Sequence, residues 1–320
     1  MMKLKTSPVK TKKRLMSIGL STFRYLMLTV IGYIVIYPLL YMVSGSIKPL
    51  KALLDVRFIW VPRYISFDMF ETAFEYLDFL PSLGRTLSLQ IVSAFIEVFI
   101  CAAIAYGFSR FEFRGKSIAT AFLMLSLMVP LPMYSLSLSV NFRQLDFLGI
   151  LGLIDNLTGL DLRLNVFDTD WVYWLPSLFG VGIRAGMLIY IYIQFFKGLP
   201  KELEDAAYVD GAGPIRTFLQ IALPSSGVVI VTVTVLSVVW HWNESFLASL
   251  CFTNHTRPLS VMISQIEVPL HQDGLWLGTQ PIANTIVFAS CLVFIAIPLV
   301  LYLILQRKFV KSIDRVGITG

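Results

Sequence analysis

Six apolar runs, each long enough to cross a lipid bilayer as a helix, decide what this chain can fold into. They lie at about 22–46, 86–109, 117–140, 176–197, 225–250 and 281–305. A hydrocarbon core of about 30 Å takes roughly 20 apolar residues in helical form. Within it every backbone N–H and C=O needs a partner inside the protein. The predicted fold is an all-α integral membrane protein with six transmembrane helices. Residues 1–21 read as a basic segment ahead of the first span, 22–305 as one six-helix domain, and 306–320 as a tail. Composition agrees, with 56% hydrophobic and 14% charged residues, where a soluble domain carries about 25% charged. The first run is too long for a signal-peptide core and lacks a small-residue cleavage site, so it reads as a retained helix.

Basic residues set the orientation, because cytoplasmic loops carry the excess of Lys and Arg. Lys3, Lys5, Lys10, Lys12, Lys13, Arg14 and Arg24 precede or enter the first span with no acid among them. Arg110, Arg114 and Lys116 follow the second, and Arg307, Lys308, Lys311 and Arg315 follow the sixth. Both termini are therefore expected in the cytoplasm. The net charge of +6 belongs to these membrane edges and does not point to nucleic acid. On the far side, a short surface helix is expected from Asp68 to Leu80. A long connection over 142–175 has turn signals at Gly149, Gly152 and Asn156. An irregular loop is expected over 251–280, around Pro258, Pro269, Gly274 and Gly278.

One polar stretch breaks the apolar pattern on the cytoplasmic side, Leu199-Pro200-Lys201-Glu202-Leu203-Glu204-Asp205-Ala206-Ala207-Tyr208-Val209-Asp210-Gly211-Ala212-Gly213-Pro214, closing at Ile221-Ala222-Leu223-Pro224. Pro200 suits a first helical position, and the acids after it suit the positive end of a helix. Gly211 and Gly213 allow the positive φ that ends it. Pro214 opens a second helix and Pro224 is expected to stop it. The predicted shape is a helix-elbow-helix. It presents Leu203, Ala206, Ala207 and Val209, then Ile215, Phe218 and Leu219, as anchors for docking into a groove. Gly211 is expected to let the two helices meet closely.

The chemistry is sparse. There is no Walker-type phosphate loop, no catalytic set, and no metal spacing among His241, His255 and His271. Cys101, Cys251 and Cys291 read as packing residues. Glu97, His241 and Glu244 fall inside spans, where ionisable groups are costly and mark functional sites by default. Pairing with each other or with neighbouring helices is the favoured reading for the two acids, and packing for His241. Arg184, beside Gly182 and Gly186, which would open space around it, either grips a polar or acidic solute or neutralises Glu97 or Glu244; the second is favoured. Trp60, Trp171, Tyr173, Trp174, Trp240, Trp242 and Trp276 read as interfacial anchors, with stacking on a sugar face as the alternative. Pro130 and Pro132 interrupt the third span and Pro298 the sixth, giving kinks.

Asp205-Ala206-Ala207, three residues, Gly211, nine residues, Ile221, one residue, Leu223-Pro224 resembles the EAA loop of binding-protein-dependent ABC importers. Gln194-Phe195-Phe196 leading into Leu199-Pro200-Lys201-Glu202-Leu203, and Trp242-Asn243-Glu244-Ser245-Phe246, resemble carbohydrate-importer permeases of the maltose-system second-subunit type. The family usually has Glu where this chain has Asp205, which shortens the reach of that carboxylate by one methylene. The resemblance implies the type I ABC importer transmembrane fold in a bacterial cytoplasmic membrane. It implies a second homologous permease subunit, a pair of ATPase subunits that hold the ATP and Mg, and an extracellular solute-binding protein, with no cofactor on this chain and an oligosaccharide as substrate. ATPase coupling falls to Glu202, Glu204, Asp205, Ala206, Ala207, Asp210, Gly211, Ala212, Phe218, Ile221, Leu223 and Pro224. Candidates for the translocation pathway are Glu97, Arg184, Trp242, Asn243 and Glu244. Gly274, Trp276 and Gly278 are candidates for contact with the binding protein. An ion-gradient-driven secondary transporter and an ABC permease for a non-sugar solute are the alternatives.

Overall fold

A computed structural model describes residues 8–49, 64–146, 149–159, 164–253, 256–278 and 280–317. Lys3, Lys5, Trp60 and His255 lie outside them. The regular structure among the described residues is helical, apart from one isolated antiparallel bridge between Leu145 and Leu164. In chain order the helices are α1 (Pro8–Ser46), α2 (Asp68–Tyr76), α3 (Phe79–Arg110), α4 (Lys116–Met128), α5 (Leu131–Arg143), α6 (Ile150–Thr158), α7 (Trp171–Leu178), α8 (Ala185–Gly198) and α9 (Glu202–Val209). They continue as α10 (Pro214–Thr217), a π segment (Phe218–Ala222), α11 (Leu223–Ser225), α12 (Gly227–Asn243), α13 (Phe246–Cys251), α14 (Leu259–Ser264), α15 (Glu267–Gln272) and α16 (Pro281–Gly317).

Three helices are long and apolar enough to cross a membrane unaided, over Met16–Ser46, Phe79–Arg110 and Pro281–Ile304. The other predicted spans are broken. The third is α4 plus α5, bent by 104°. Val129 and Pro130 leave the helix there, because the residue before a proline is pushed to extended backbone. The fourth, expected as one helix over 176–197, is α7, a non-helical link over 179–184, and α8. Gly180 and Arg184 both take positive φ in that link. The fifth, expected unbroken over 225–250, ends at Asn243 and restarts at Phe246. Pro298 interrupts nothing: α16 runs through it. In the long 142–175 connection, Gly152 and Asn156 sit inside α6, whose first turn is held by Asp146 accepting from the Leu151 and Gly152 N–H groups at 2.8 and 2.9 Å. The loop expected over 251–280 carries α14 and α15.

The chain divides into two compact units. In the first, which holds 1–73 and 270–293, Tyr33, Tyr37 and Tyr41 line up at helical spacing on α1. Tyr41 meets Phe288 edge-on at 5.5 Å. Gly45 lies so close to the Phe288 ring that a Cβ there would sit 2.7 Å from it.

The second unit holds 74–269 and 294–320, and α3 is its axis. Small residues on one face of α3, Cys101, Ala102 and Ala105, let α8 approach closely, as membrane helix pairs do where backbones meet. Leu188, Tyr192 and Phe196 fill the other side of that seam, and Val229 and Val233 of α12 close it. A second cluster packs Tyr173 of α7 against Leu247, Cys251 and Phe252. Tyr173 and Trp242 are core residues, not the interfacial anchors expected from sequence. Cys101 and Cys251 are buried free thiols.

Candidate functional site

The polar stretch folds as a helix-elbow-helix, and its turn chemistry explains why. The α9 helix starts with Glu202, Glu204 and Asp205 in its first turn. It ends at Val209, with Asp210 as the cap and Gly211 following at φ +81°. The Gly211 N–H donates to the Tyr208 carbonyl at 3.0 Å and the Ala212 N–H to the Ala207 carbonyl at 2.9 Å. These two reversed bonds form a Schellman motif, which requires the left-handed residue that glycine supplies. Close packing is not the reason for Gly211, since a Cβ there would meet nothing within 4 Å. Gly213 needs no positive φ: it is extended at φ −79° and caps α10, with Pro214 in the first turn.

Pro224 does not stop the second helix. The chain stays helical to Ser225 and turns by 79° between there and Gly227. Ahead of Pro224 the helix widens, and the Leu223 N–H donates five residues back to the Phe218 carbonyl. In a regular α-helix the proline ring would press on the carbonyl of residue 220; one π turn avoids that clash.

The elbow is pinned to the last turns of α3. Arg110 donates from Nε to Glu204 Oε1 and from Nη2 to the Leu199 carbonyl, both at 2.8 Å. Tyr106, one turn earlier, donates to Glu204 Oε2 at 3.2 Å and packs between Phe196 and Phe218 at 5.6 and 5.1 Å. The Arg110 and Glu204 side chains are 7% and 5% exposed. Glu204 is thus spent inside the chain and does not face outward, and Ala207, three residues on, is buried with it. Phe218 and Ile221 are half-buried and Leu223 is buried. The outward face carries Glu202, Asp205, Ala206, Asp210, Gly211 and Pro224, with Ala212 half-buried. Leu203, Val209, Ile215 and Leu219 stand exposed on it, and a cavity of about 450 Å³ opens between Ile215, Arg216, Leu219 and Gln220. Exposed aliphatic side chains on a small ledge are what helix-in-groove docking uses.

Sequence reading missed Arg110 and Tyr106 as parts of this site. Arg110 was legible only as a charge at a span end. Its partner lies 94 residues away, and no local pattern pairs them.

A second feature forms where the chain breaks within the third, fourth and fifth predicted spans come together. A cavity of about 700 Å³ is lined by Met128 to Leu131 at the first break, Ile183 and Arg184 at the second, and Asn243, Glu244 and Ser245 at the third, with Tyr134, Tyr190 and Trp240 between them. Non-helical backbone at membrane depth is tolerated where it lines a cavity. Glu244 causes the third break. Its carboxylate accepts the Leu247 N–H at 2.7 Å and the Ala248 N–H at 3.2 Å, capping α13, and also takes a hydrogen bond from the Tyr173 hydroxyl. The polar triplet Asn243-Glu244-Ser245 before an apolar run was the signal for that restart.

Glu97 does not reach this cavity. It is fully buried, accepting from Ser237 at 2.6 Å and Ser177 at 3.3 Å, with His241 Nε2 3.7 Å away. Trp242 is buried against Phe294. Arg184 neutralises neither Glu97 nor Glu244: its guanidinium lies over the Trp240 ring, 5.1 Å from the centroid. Nor do the flanking glycines open space for it. A Cβ on Gly182 would sit 2.2 Å from Glu97 Oε1, and one on Gly186 2.5 Å from Ser126 Oγ. Gly182→Ala should therefore overpack the Glu97–Ser177 contact and cost about 1–3 kcal/mol, read as a lowered Tm of the purified protein. An unchanged Tm would mean that Glu97 moves aside freely.

In the first unit, Gly274 and Gly278 both take positive φ, and the Trp276 ring lies tilted against His271 with centroids 4.5 Å apart while staying half exposed.

Comparison with known proteins places these features in a family context. Residues 98–315 match the model of the family described as binding-protein-dependent transport system inner membrane component. The trehalose transport system permease protein SugB of Mycobacterium tuberculosis is 28% identical over 292 residues, covering 91% of this chain and 94% of that protein. The galactooligosaccharides transport system permease protein GanQ of Bacillus subtilis is 25% identical over 310 residues, covering 93% and 95%. Among solved structures, a chain of a bacterial ABC transporter involved in the import of the acidic polysaccharide alginate superposes with a TM-score of 0.67. It is 18% identical and covers 96% of this chain and 100% of that one.

Proposed function

This chain belongs to the family of binding-protein-dependent transport system inner membrane components, and from that premise we propose that it is a permease subunit of an ATP-driven importer of oligosaccharides. It is a multi-pass protein of the bacterial inner membrane. Six spans, three of them broken, would place both termini and the elbow in the cytoplasm, where the Lys and Arg excess belongs. A second homologous permease would complete the pathway. Two ATPase subunits would supply the ATP and Mg chemistry, and an external solute-binding protein would deliver the sugar.

The observation that carries this reading is the elbow at 199–224. It is rigidly capped, clamped to α3 through Arg110 and Glu204, and presents an exposed aliphatic ledge. A lever needs both properties: a stiff attachment to the membrane helices and a face for the motor. Asp205 and Asp210 stand on the same outward face, where they can meet basic groups of an ATPase. The oligosaccharide class rests on the named substrates of the relatives SugB and GanQ.

The test is uptake into vesicles holding the whole importer with its solute-binding protein, using sugar eluted from that binding protein. Uptake should require ATP beside the elbow and persist when protonophore and ionophore collapse all ion gradients. Uptake that stops with the gradients and ignores ATP would make the chain a secondary transporter.

A further inference from the structure

We propose that Arg184 and Trp240 form an anion-binding position inside the 700 Å³ cavity, one that takes a carboxylate of an acidic oligosaccharide in transit. This rests on the reading of the chain as an oligosaccharide permease and adds the substrate's charge to it. Several observations carry it. Arg184 is exposed on the cavity wall, at a break between membrane helices. Among the described residues it has no ion-pair partner. Both acids that the sequence offered as its partners are committed elsewhere: Glu97 to Ser177 and Ser237, and Glu244 to Tyr173 and the Leu247 and Ala248 N–H groups of α13. A charged side chain in such a segment faces a water-filled pathway and marks what passes along it.

Arg184 also sits in the left-handed region at φ 55°, ψ 25°, which a non-glycine residue seldom adopts and which clusters at ligand-handling positions. Buried Ile183 and Ala185 hold it there from either side. The Trp240 ring beneath the guanidinium orients the planar fork, and that fork matches a carboxylate with two parallel hydrogen bonds. Around it, Tyr134, Tyr190 and Asn243 offer hydroxyl and amide groups and flat apolar faces at one wall, the mixture that sugar rings use. The volume lies within the roughly 300–1,000 Å³ range of small-ligand sites.

The experiment uses the complete importer with its solute-binding protein in ATP-loaded vesicles and two labelled probes, tetragalacturonate and its fully methyl-esterified, uncharged form. In Arg184→Gln, uptake of tetragalacturonate should fall about tenfold or more relative to the unaltered importer, as loss of a charged hydrogen bond implies. Uptake of the ester, which offers the fork only a neutral carbonyl, should fall far less, and Arg184→Lys should fall between on tetragalacturonate. Equal losses on both probes would overturn the assignment, making Arg184 a structural or intersubunit contact; no loss on either would overturn it as well. An unaltered importer that moves the ester alone, or neither probe while the binding protein still stimulates ATP hydrolysis, leaves the importer reading standing and removes the acidic substrate. Uptake independent of ATP would remove the importer reading and this assignment with it.

Discussion

Arg110→Ala should detach the elbow from α3 and abolish ATP-driven uptake while the membrane helices stay folded. The substitution strands Glu204, 4% exposed, without its counter-charge. Removing one partner of a buried pair costs about 3–5 kcal/mol, since the remaining charge is uncompensated. The same change frees the Leu199 carbonyl at the start of the elbow. The loss falls on one short element whose docking depends on this bracket, so local opening of 199–217 should rise by roughly two to four powers of ten. Hydrogen exchange reads that opening directly, and uptake should drop in step with it. Arg110→Lys should be intermediate, because a single ammonium cannot serve both the carboxylate and the carbonyl in the forked geometry. The double variant Arg110→Ala, Glu204→Leu should exchange more slowly than Arg110→Ala alone, because no unpaired charge remains. Wild-type uptake with unchanged exchange in Arg110→Ala would end the idea that this pair is the mechanical joint.

Gly211→Pro should produce a protein that inserts and assembles but does not move substrate. The native φ of +81° cannot be approached by a proline held near −65°. The ring also deletes the N–H that donates to Tyr208, so both features of the Schellman stop are lost. The second helix of the elbow would then leave in a different direction, carrying Ile215 and Leu219 away from the face shared with Leu203. A graded series separates backbone from bulk. Gly211→Ala adds no clash, as nothing lies within 4 Å, and costs only the left-handed penalty of about 1–2 kcal/mol. Gly211→Asn, which tolerates that region, should cost less. Transport falling in the order Asn, Ala, Pro is the expected result. An Ala variant as inactive as Pro would shift the cause from chain direction to crowding by a partner.

Other elements show where a linear reading reaches and where it stops. The elbow was legible because all its signals are local: Pro200, the acids of the first turn, Gly211 and Pro214 each act within a few residues of themselves. The α2 surface helix, expected from Asp68 to Leu80, was legible for the same reason at its start but stops at Tyr76, and Leu80 belongs to α3. Pro130 marked the third-span break because proline acts on the residue just before it. The fourth and fifth breaks were not marked so plainly. Gly180 and Arg184 reach positive φ under the packing around them, and Glu244 ends one helix by turning its carboxylate to the next. Gly182 and Gly186 read as space-makers until Glu97 and Ser126 were found against them. Leu203, Val209, Ile215 and Leu219 keep the exposure that a docking face needs. Ala207 and Phe218, expected beside them, turn inward because α3 offers Tyr106 and Arg110 to pack and bond against.

From the order of residues alone come the membrane class and the elbow with its stop and start. These follow from runs, spacing and dihedral preference, which neighbours along the chain decide. The clamp between Arg110 and Glu204, the commitment of Glu97 and Glu244 to internal partners, and the cavity that leaves Arg184 over Trp240 belong to the tertiary structure. Apart from Glu244's bonds to the Leu247 and Ala248 N–H groups, these join groups tens of residues apart, and the packing of α3 with α7, α8, α9 and α12 brings them within bonding distance.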